Sequence, residues 1–339
     1  MSEHSTGGYR TADVPVRGGV LRCGLWGPED PAAPVLLAVH GVTASHKTWG
    51  LVAARLPQVR IIAPDLRGRG RSNDLPGPYG MAAHAEDLAG VLRAFEVESA
   101  VVAGHSMGAF VSVVLAHRYP QLVRSLILID GGLPLQVPAG LSDDEVIEAV
   151  LGPAAERLGT RYASREAYRS FWKQHPAFAR NWNPLVEEYV DYDLAGEEPG
   201  LRPATRFEAM RDDTADLNRG PDLRAALAAL AVPALLLRAP RGLMDEPAGL
   251  YTEAHARRWE EALDRLTVRN VPDVNHYTIV MDAPGAGVVA GAVSAALKAL
   301  PEPPALPGEP PAAASPAAPP MTAAPAMPTG ASVPSLDIG

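Results

Sequence analysis

Apolar and polar positions along the chain fall into two rhythms. Short apolar runs at residues 34–40, 59–63, 99–103, 125–130, 232–239 and 266–271 predict buried strands. Between them, residues 49–56, 81–95, 109–119, 252–263 and 285–300 carry apolar positions at helical spacing. Residues 14–26 alternate instead, as one or two antiparallel edge strands would. Strands alternating with helices imply parallel pairing through right-handed crossovers. Near-continuous apolar strands further imply a sheet covered on both faces.

That rhythm stops between residues 131 and 230. Helical patterns at 142–158, 164–173, 184–192 and 221–230 fill the interval, and a structureless loop of that length inside a domain is implausible. The interval also holds Phe171, Trp172, Phe178, Trp182, Tyr189 and Tyr192. Each of these either packs the insertion's own core or lines an apolar substrate pocket, Trp172 being the candidate for the latter. Residues 1–13 are polar and patternless, a mobile lead-in by expectation. From residue 301 to 339 the chain is Pro/Ala-rich, with about a third of the 34 prolines, a composition expected to stay disordered.

Composition narrows the function. With 339 residues, 47% of them hydrophobic, the chain can bury a large core. A net charge of −9 and the lack of a basic run argue against nucleic acid as partner. Nothing approaches 18 consecutive apolar residues, so no membrane span is expected. The first residues show neither a basic nor an apolar leader segment, and Cys23 is the only cysteine; a reducing cytoplasm is the expected location. Cys23 falls in an expected strand and reads as a packing residue. No His-Glu-x-x-His or similar spacing suggests a metal, and no cofactor is expected.

The chemistry centres on Gly104-His105-Ser106-Met107-Gly108, set between an expected strand and an expected helix. Strand, tight turn and helix form the context of a Gly-x-Ser-x-Gly elbow, in which the serine hydroxyl stands exposed above the sheet. The next N–H, that of Met107, and the helix N-terminus then face any developing oxyanion. Three further motifs accompany it: His40-Gly41 after an early strand, Asp65-Leu66-Arg67-Gly68-Arg69-Gly70-Arg71-Ser72 after the next, and a late Asn275-His276.

In combination these motifs, over roughly residues 14–300, resemble the α/β-hydrolase superfamily. The resemblance implies an α/β-hydrolase fold: a mostly parallel sheet flanked by helices, formed by residues 14–130 and 231–300, with a helical cap at 131–230. It implies a cofactor-independent serine hydrolase in which Ser106 attacks an acyl carbonyl and His276 moves the proton. His40-Gly41 resembles the oxyanion loop, which adds the N–H of Val42 to that of Met107. Gly41, Thr43 and His105 would stand beside the substrate. Asp65–Ser72 takes the place of a structural loop; it lacks the spacing of a phosphate cradle.

The acid departs from the commonest pattern of the superfamily. Where Gly-x-x-Asp is expected after the strand at 232–239, the chain has Ala239-Pro240-Arg241-Gly242, so glycine stands at the acid position. Asp245 comes three residues later, while Asp130 ends the strand that follows the elbow helix. Asp130 is the favoured acid and Asp245 the alternative. The substrate implied is a small-molecule carboxylic ester or lactone with an apolar portion. A thioesterase or acyltransferase on a biosynthetic acyl chain is the alternative enzyme, and a non-catalytic ligand-binding module on the same scaffold is the alternative of another class.

Overall fold

The computed structural model describes residues 8–136, 140, 143–247 and 249–299; the tail at 301–339 and the first seven residues lie outside them. An eight-stranded sheet forms the centre. Its members are β1 (Arg10–Val16), β2 (Gly19–Trp26), β3 (Val35–Val39), β4 (Arg60–Pro64), β5 (Ala100–His105), β6 (Val123–Ile129), β9 (Ala234–Arg238) and β10 (Leu266–Asn270). A separate two-stranded ladder pairs β7 (Leu194–Ala195) with β8 (Arg202–Pro203). The large sheet runs β1-β2-β4-β3-β5-β6-β9-β10. From β4 to β10 every pairing is parallel, and the β1–β2 hairpin joins antiparallel at the β4 edge.

Both faces of the strands are buried because successive side chains point to opposite sides. Leu37, Val39 and Val102 pack on one side with residues of α2 (Met81–Ala94), α3 (Met107–Arg118) and α9 (Glu253–Ala262). Leu36, Ala38, Val101 and Ala103 pack on the other with α1 (Gly50–Ala53) and α11 (Ala283–Lys298). Cys23 of β2 is fully buried among the first set, and burial pushes its thiol well up. One expectation is corrected here. The lead-in was placed at residues 1–13, but β1 starts at Arg10 and pairs in register with β2 as far as Val16 against Gly19. Its sequence hid this because, as an edge strand, it buries only Val14.

Between β6 and β9 the chain builds α4 (Asp143–Gly159), α5 (Arg165–Gln174), α6 (Pro184–Tyr192), α7 (Phe207–Arg219) and α8 (Pro221–Ala228). The N-terminus of α5 is capped by Ser164 and that of α6 by Asn183, whose side chains accept N–H groups of the first turn. Trp172, Phe178 and Tyr189 pack together in the core they share with α1 and α11. Buried ion pairs complete the attachment. Arg157 of α4 donates to Asp193 at 2.6 Å and to the Tyr168 hydroxyl at 2.6 Å. Asp213 of α7 receives Arg69 at 2.5 Å, His84 at 2.9 Å and the Gly80 N–H at 2.5 Å. Burial alone would raise the Asp213 carboxyl, but the facing His84 and Arg69 outweigh it and hold it at about 2. Among the described residues no helix is long and apolar enough to cross a membrane.

Candidate active site

Ser106 sits at the bend between β5 and α3 with φ 54° and ψ −126°, a region L residues rarely occupy. The bend is tight enough to dictate its neighbours. A Cβ on Gly104 would stand 2.3 Å from the Gly108 carbonyl oxygen, and one on Gly108 would stand 2.2 Å from that of Val39. Only glycine lets the start of α3 lie this close to β3 and β5. The Ser106 N–H donates to the Ile129 carbonyl at 2.9 Å, which ties the bend to β6. Met107, as the first residue of α3, has an N–H with no acceptor within its helix.

His276 lies in the loop after β10, with its side chain only 4% exposed. Its Nδ1–H donates to Asp130 Oδ2 at 2.8 Å, which leaves Nε2 with a lone pair. Asp130 follows β6 directly and is fully buried. Its N–H donates to the Leu237 carbonyl at 2.8 Å, and its Oδ1 accepts the Ala239 N–H at 3.1 Å. Asp130 also adopts a positive φ, 44°, a conformation held by these bonds to the end of β9. Asp245 is engaged elsewhere: with Arg241 at 2.6 Å, Arg180 at 3.2 Å and Asn275 Nδ2 at 3.0 Å. Partial burial works to raise its carboxyl, but those partners outweigh it and hold it below the ordinary range.

Gly41, Val42, Thr43, His105, Ser106 and His276 border one small cavity of about 30 Å³. A Cβ on Gly41 would lie 3.1 Å from Ser106 Cβ and 3.5 Å from Oγ, so the loop after β3 runs against the serine. His40 stabilises that loop: its Nδ1–H donates to the Gly41 carbonyl at 2.8 Å and its Nε2 accepts the Leu66 N–H at 2.9 Å. Complete burial lowers its pKa to about 4. His105 was expected beside the substrate, and it does border the cavity. Its Nε2–H, however, is spent on the His276 carbonyl at 2.7 Å, and the two rings lie 4.8 Å apart between centroids. Burial and the neighbouring His276 hold the His105 ring well below its usual pKa.

Trp172 is placed differently from Ser106. It borders an adjoining cavity of about 170 Å³ together with Arg157, His175 and Met244. The two cavities share Leu151, Ala154, Leu243 and Tyr277 as walls. The Arg157 guanidinium carbon sits 5.1 Å over the Trp172 ring, and Nη2 donates to the Thr43 carbonyl at 3.5 Å. Nothing in the sequence pattern singled out Arg157, Leu243 or Tyr277, because each reaches the site only through tertiary packing. A larger cavity, about 380 Å³, lies between α11 and strands β6, β9 and β10 and holds none of the candidate residues. Among the described residues no group of three or more His, Cys, Asp or Glu side chains could hold a metal ion.

Comparison with known proteins agrees with this architecture. A stretch of 126 residues is 37% identical to the lipase LipV of Mycobacterium tuberculosis, covering 37% of this chain and 46% of the lipase. Over 250 residues the chain is 28% identical to 2-(acetamidomethylene)succinate hydrolase of Mesorhizobium japonicum, covering 74% and 84% of the two. The first curated relatives, uncharacterised mycobacterial proteins, are matched over only 30% of their own length. The crystal structure of an E-2-(acetamidomethylene)succinate hydrolase superposes with a TM-score of 0.72 at 22% identity, covering 86% of this chain and all of the other. The sequence profile of the alpha/beta hydrolase fold matches residues 34–219. That span is more than half of the chain, and together with the sheet order and its inserted helices it makes the protein a member of the α/β-hydrolase fold family.

Proposed function

We propose that the protein is a cofactor-independent serine hydrolase that cleaves a small carboxylic ester or lactone through an acyl-enzyme. The observation that carries this reading is the convergence on one cavity of Ser106 and a His276 ring whose Nδ1–H is fixed by buried Asp130. A free alcohol is a poor nucleophile near pH 7 and needs an adjacent base. With Nδ1 committed to Asp130, His276 Nε2 takes the Ser106 proton as Oγ attacks the carbonyl carbon. The N–H groups of Val42 and Met107 receive the oxyanion. Collapse of the tetrahedral intermediate expels the alcohol, which takes the proton from His276. Water, deprotonated by the same ring, then releases the acid and restores Ser106.

In this reading the helices between β6 and β9 act as a cap. Leu151, Ala154 and Tyr189 of that insertion border the same cavity as Ser106, and Leu217 and Thr214 border a second small one beside it. The adjoining space walled by Leu151, Ala154, Trp172, Leu243 and Met244 suits the apolar portion of the substrate. The relative whose name specifies a succinate derivative acts on a dicarboxylate. Here Arg157, the cation bordering that space, is already paired with Asp193, and Glu246 also borders it. A neutral acyl group therefore fits better than a dianion.

The test is covalent labelling by a fluorophosphonate probe together with turnover of p-nitrophenyl butyrate and its thioester analogue. Labelling and turnover should both vanish in Ser106→Ala. A folded wild-type protein that neither labels nor turns over either substrate would mean a ligand-binding module instead. Preference for the thioester would transfer the reading to thioesterase chemistry.

A further inference from the structure

Arg69 belongs to the loop after β4, the stretch whose sequence suggested a structural part only. Its side chain is fully buried, and each of the three guanidinium nitrogens finds an acceptor. Nε donates to the Val42 carbonyl at 2.9 Å. Nη1 donates to the Arg67 carbonyl at 2.9 Å and forms an ion pair with Asp213 Oδ2 at 2.5 Å. Nη2 donates to the Ala209 carbonyl at 3.3 Å and contacts Met107 Sδ at 3.8 Å.

Apart from Arg67 in its own loop, these partners divide into two sets. Val42 and Met107 are the two residues whose N–H groups face the oxyanion in the mechanism above. Ala209 and Asp213 belong to the first two turns of α7, part of the inserted helices. One rigid, planar cation therefore touches both oxyanion residues and the cap at once.

We propose that Arg69 is a positioning residue that couples the seating of α7 to the geometry of the Val42 and Met107 donors, so that transition-state stabilisation is complete only when the cap is docked. This rests on the serine-hydrolase reading of Ser106. A buried guanidinium fork is the side chain suited to the task, because its fixed donors set the directions of several acceptors together. A lysine at the same place keeps the charge for Asp213 but has only three donors on one nitrogen. It cannot span from Asp213 to the Val42 carbonyl.

Kinetics of Arg69→Lys decide the matter, with circular dichroism and thermal melting to show that it folds. Removing a single oxyanion donor in other serine hydrolases lowers kcat by about 10²–10³-fold. Because Arg69 acts through the Val42 carbonyl and the Met107 side chain and not on the oxyanion itself, a fall in kcat of about tenfold or more is expected here, with KM within about twofold of wild type. An unchanged kcat in folded Arg69→Lys overturns the proposal, as does a rise in KM with kcat intact. Asp213→Asn supplies the second arm and stands alone if Arg69→Lys does not fold. It leaves the Val42 bond of Arg69 in place and weakens what holds α7, the contacts of Asp213 with Arg69, His84 and the Gly80 N–H, so a lower kcat supports the coupling and an unchanged kcat refutes it. Ser106→Ala separates the two levels. Turnover that survives in that variant defeats the hydrolase reading itself, whereas its loss alongside an unaffected Arg69→Lys defeats this inference alone.

Discussion

Replacing Asp130 by Asn probes the site most directly, because it changes one atom of a fully buried pair. In the native arrangement Oδ2 accepts the His276 Nδ1–H at 2.8 Å and Oδ1 accepts the Ala239 N–H at 3.1 Å. An asparagine can keep its carbonyl on Ala239 only by turning its NH2 toward Nδ1. The ring must then present a lone pair at Nδ1, which moves the proton to Nε2, the nitrogen that serves as base in the proposed mechanism. A base that already carries its proton cannot accept another from the hydroxyl. The equivalent change in a serine protease lowers kcat by about 10⁴, and it does so by this tautomer switch. Asp130→Asn is therefore expected to lose about 10³–10⁴ in kcat, or roughly 4–5.5 kcal/mol of transition-state stabilisation. Asp245→Asn, whose carboxylate faces Arg241, Arg180 and Asn275, should stay within a few-fold of wild type. Both are read from steady-state hydrolysis of p-nitrophenyl butyrate. A loss below tenfold in folded Asp130→Asn, or a larger loss for Asp245→Asn, refutes the assignment of Asp130.

Two further outcomes concern stability. Arg67 and Asp87 form a two-bond pair at 2.9 and 2.8 Å, with side chains 0% and 4% exposed. Asp87→Ala strands a buried cation and should cost about 3–5 kcal/mol in urea unfolding, most of it recovered by Arg67→Met with Asp87→Leu; equal stability of the single and double variants would show that the pair matters little. His40, held near pKa 4 when folded against about 6.5 when unfolded, takes up its proton in the unfolded chain first. Its contribution is full above pH 6.5 and drains as the pH falls toward 4, by about 3 kcal/mol at the lower end, and His105 acts in the same direction. Depressed Asp65 and Asp213 act only below about pH 4, while raised Asp193 and Asp216 oppose the histidines above it, so the fall in melting temperature from pH 7 to 4.5 should be smaller in His40→Gln than in wild type, and an equal fall would contradict a neutral His40.

The acid shows how far the residues alone could be read. Glycine at position 242 left two carboxylates in contention, and local sequence cannot choose between them. Sheet order is what brings Asp130, and not Asp245, to the His276 ring. Because β6 and β9 are hydrogen-bonded neighbours, the residue after β6 and the residue after β9 arrive at nearly the same place, and Asp130 bonds Ala239 directly. Asp130 can therefore reach His276 from one strand away. Strands β3 to β6 were legible because both their faces are apolar, which gives unbroken runs. Helix α7 was not. Its inward face is Met210, Asp213, Thr214 and Leu217, so two polar residues stand where an apolar stripe would be sought. Asp213 is buried against Arg69 and His84, partners distant in sequence, while the Thr214 hydroxyl donates to the Met210 carbonyl one turn back in the same helix. The surroundings of Arg69 were hidden for the same reason: all its partners but the Arg67 carbonyl come from far along the chain, at residues 42, 107, 209 and 213.

The same adjacency of β6 and β9 bears on how this protein can change over evolutionary time. About a hundred residues leave the sheet at the C-terminal tip of β6 and re-enter at the N-terminal end of the parallel β9 beside it, so the segment ends in a crossover back along the sheet. Lengthening, trimming or exchanging the helices ahead of that crossover need not disturb any strand register, and Ser106, Asp130 and His276 would stay where the scaffold puts them. Diversification of ligand preference can thus proceed by rebuilding the roof over an untouched floor, limited chiefly by whether a newcomer still offers Arg69 its buried carboxylate.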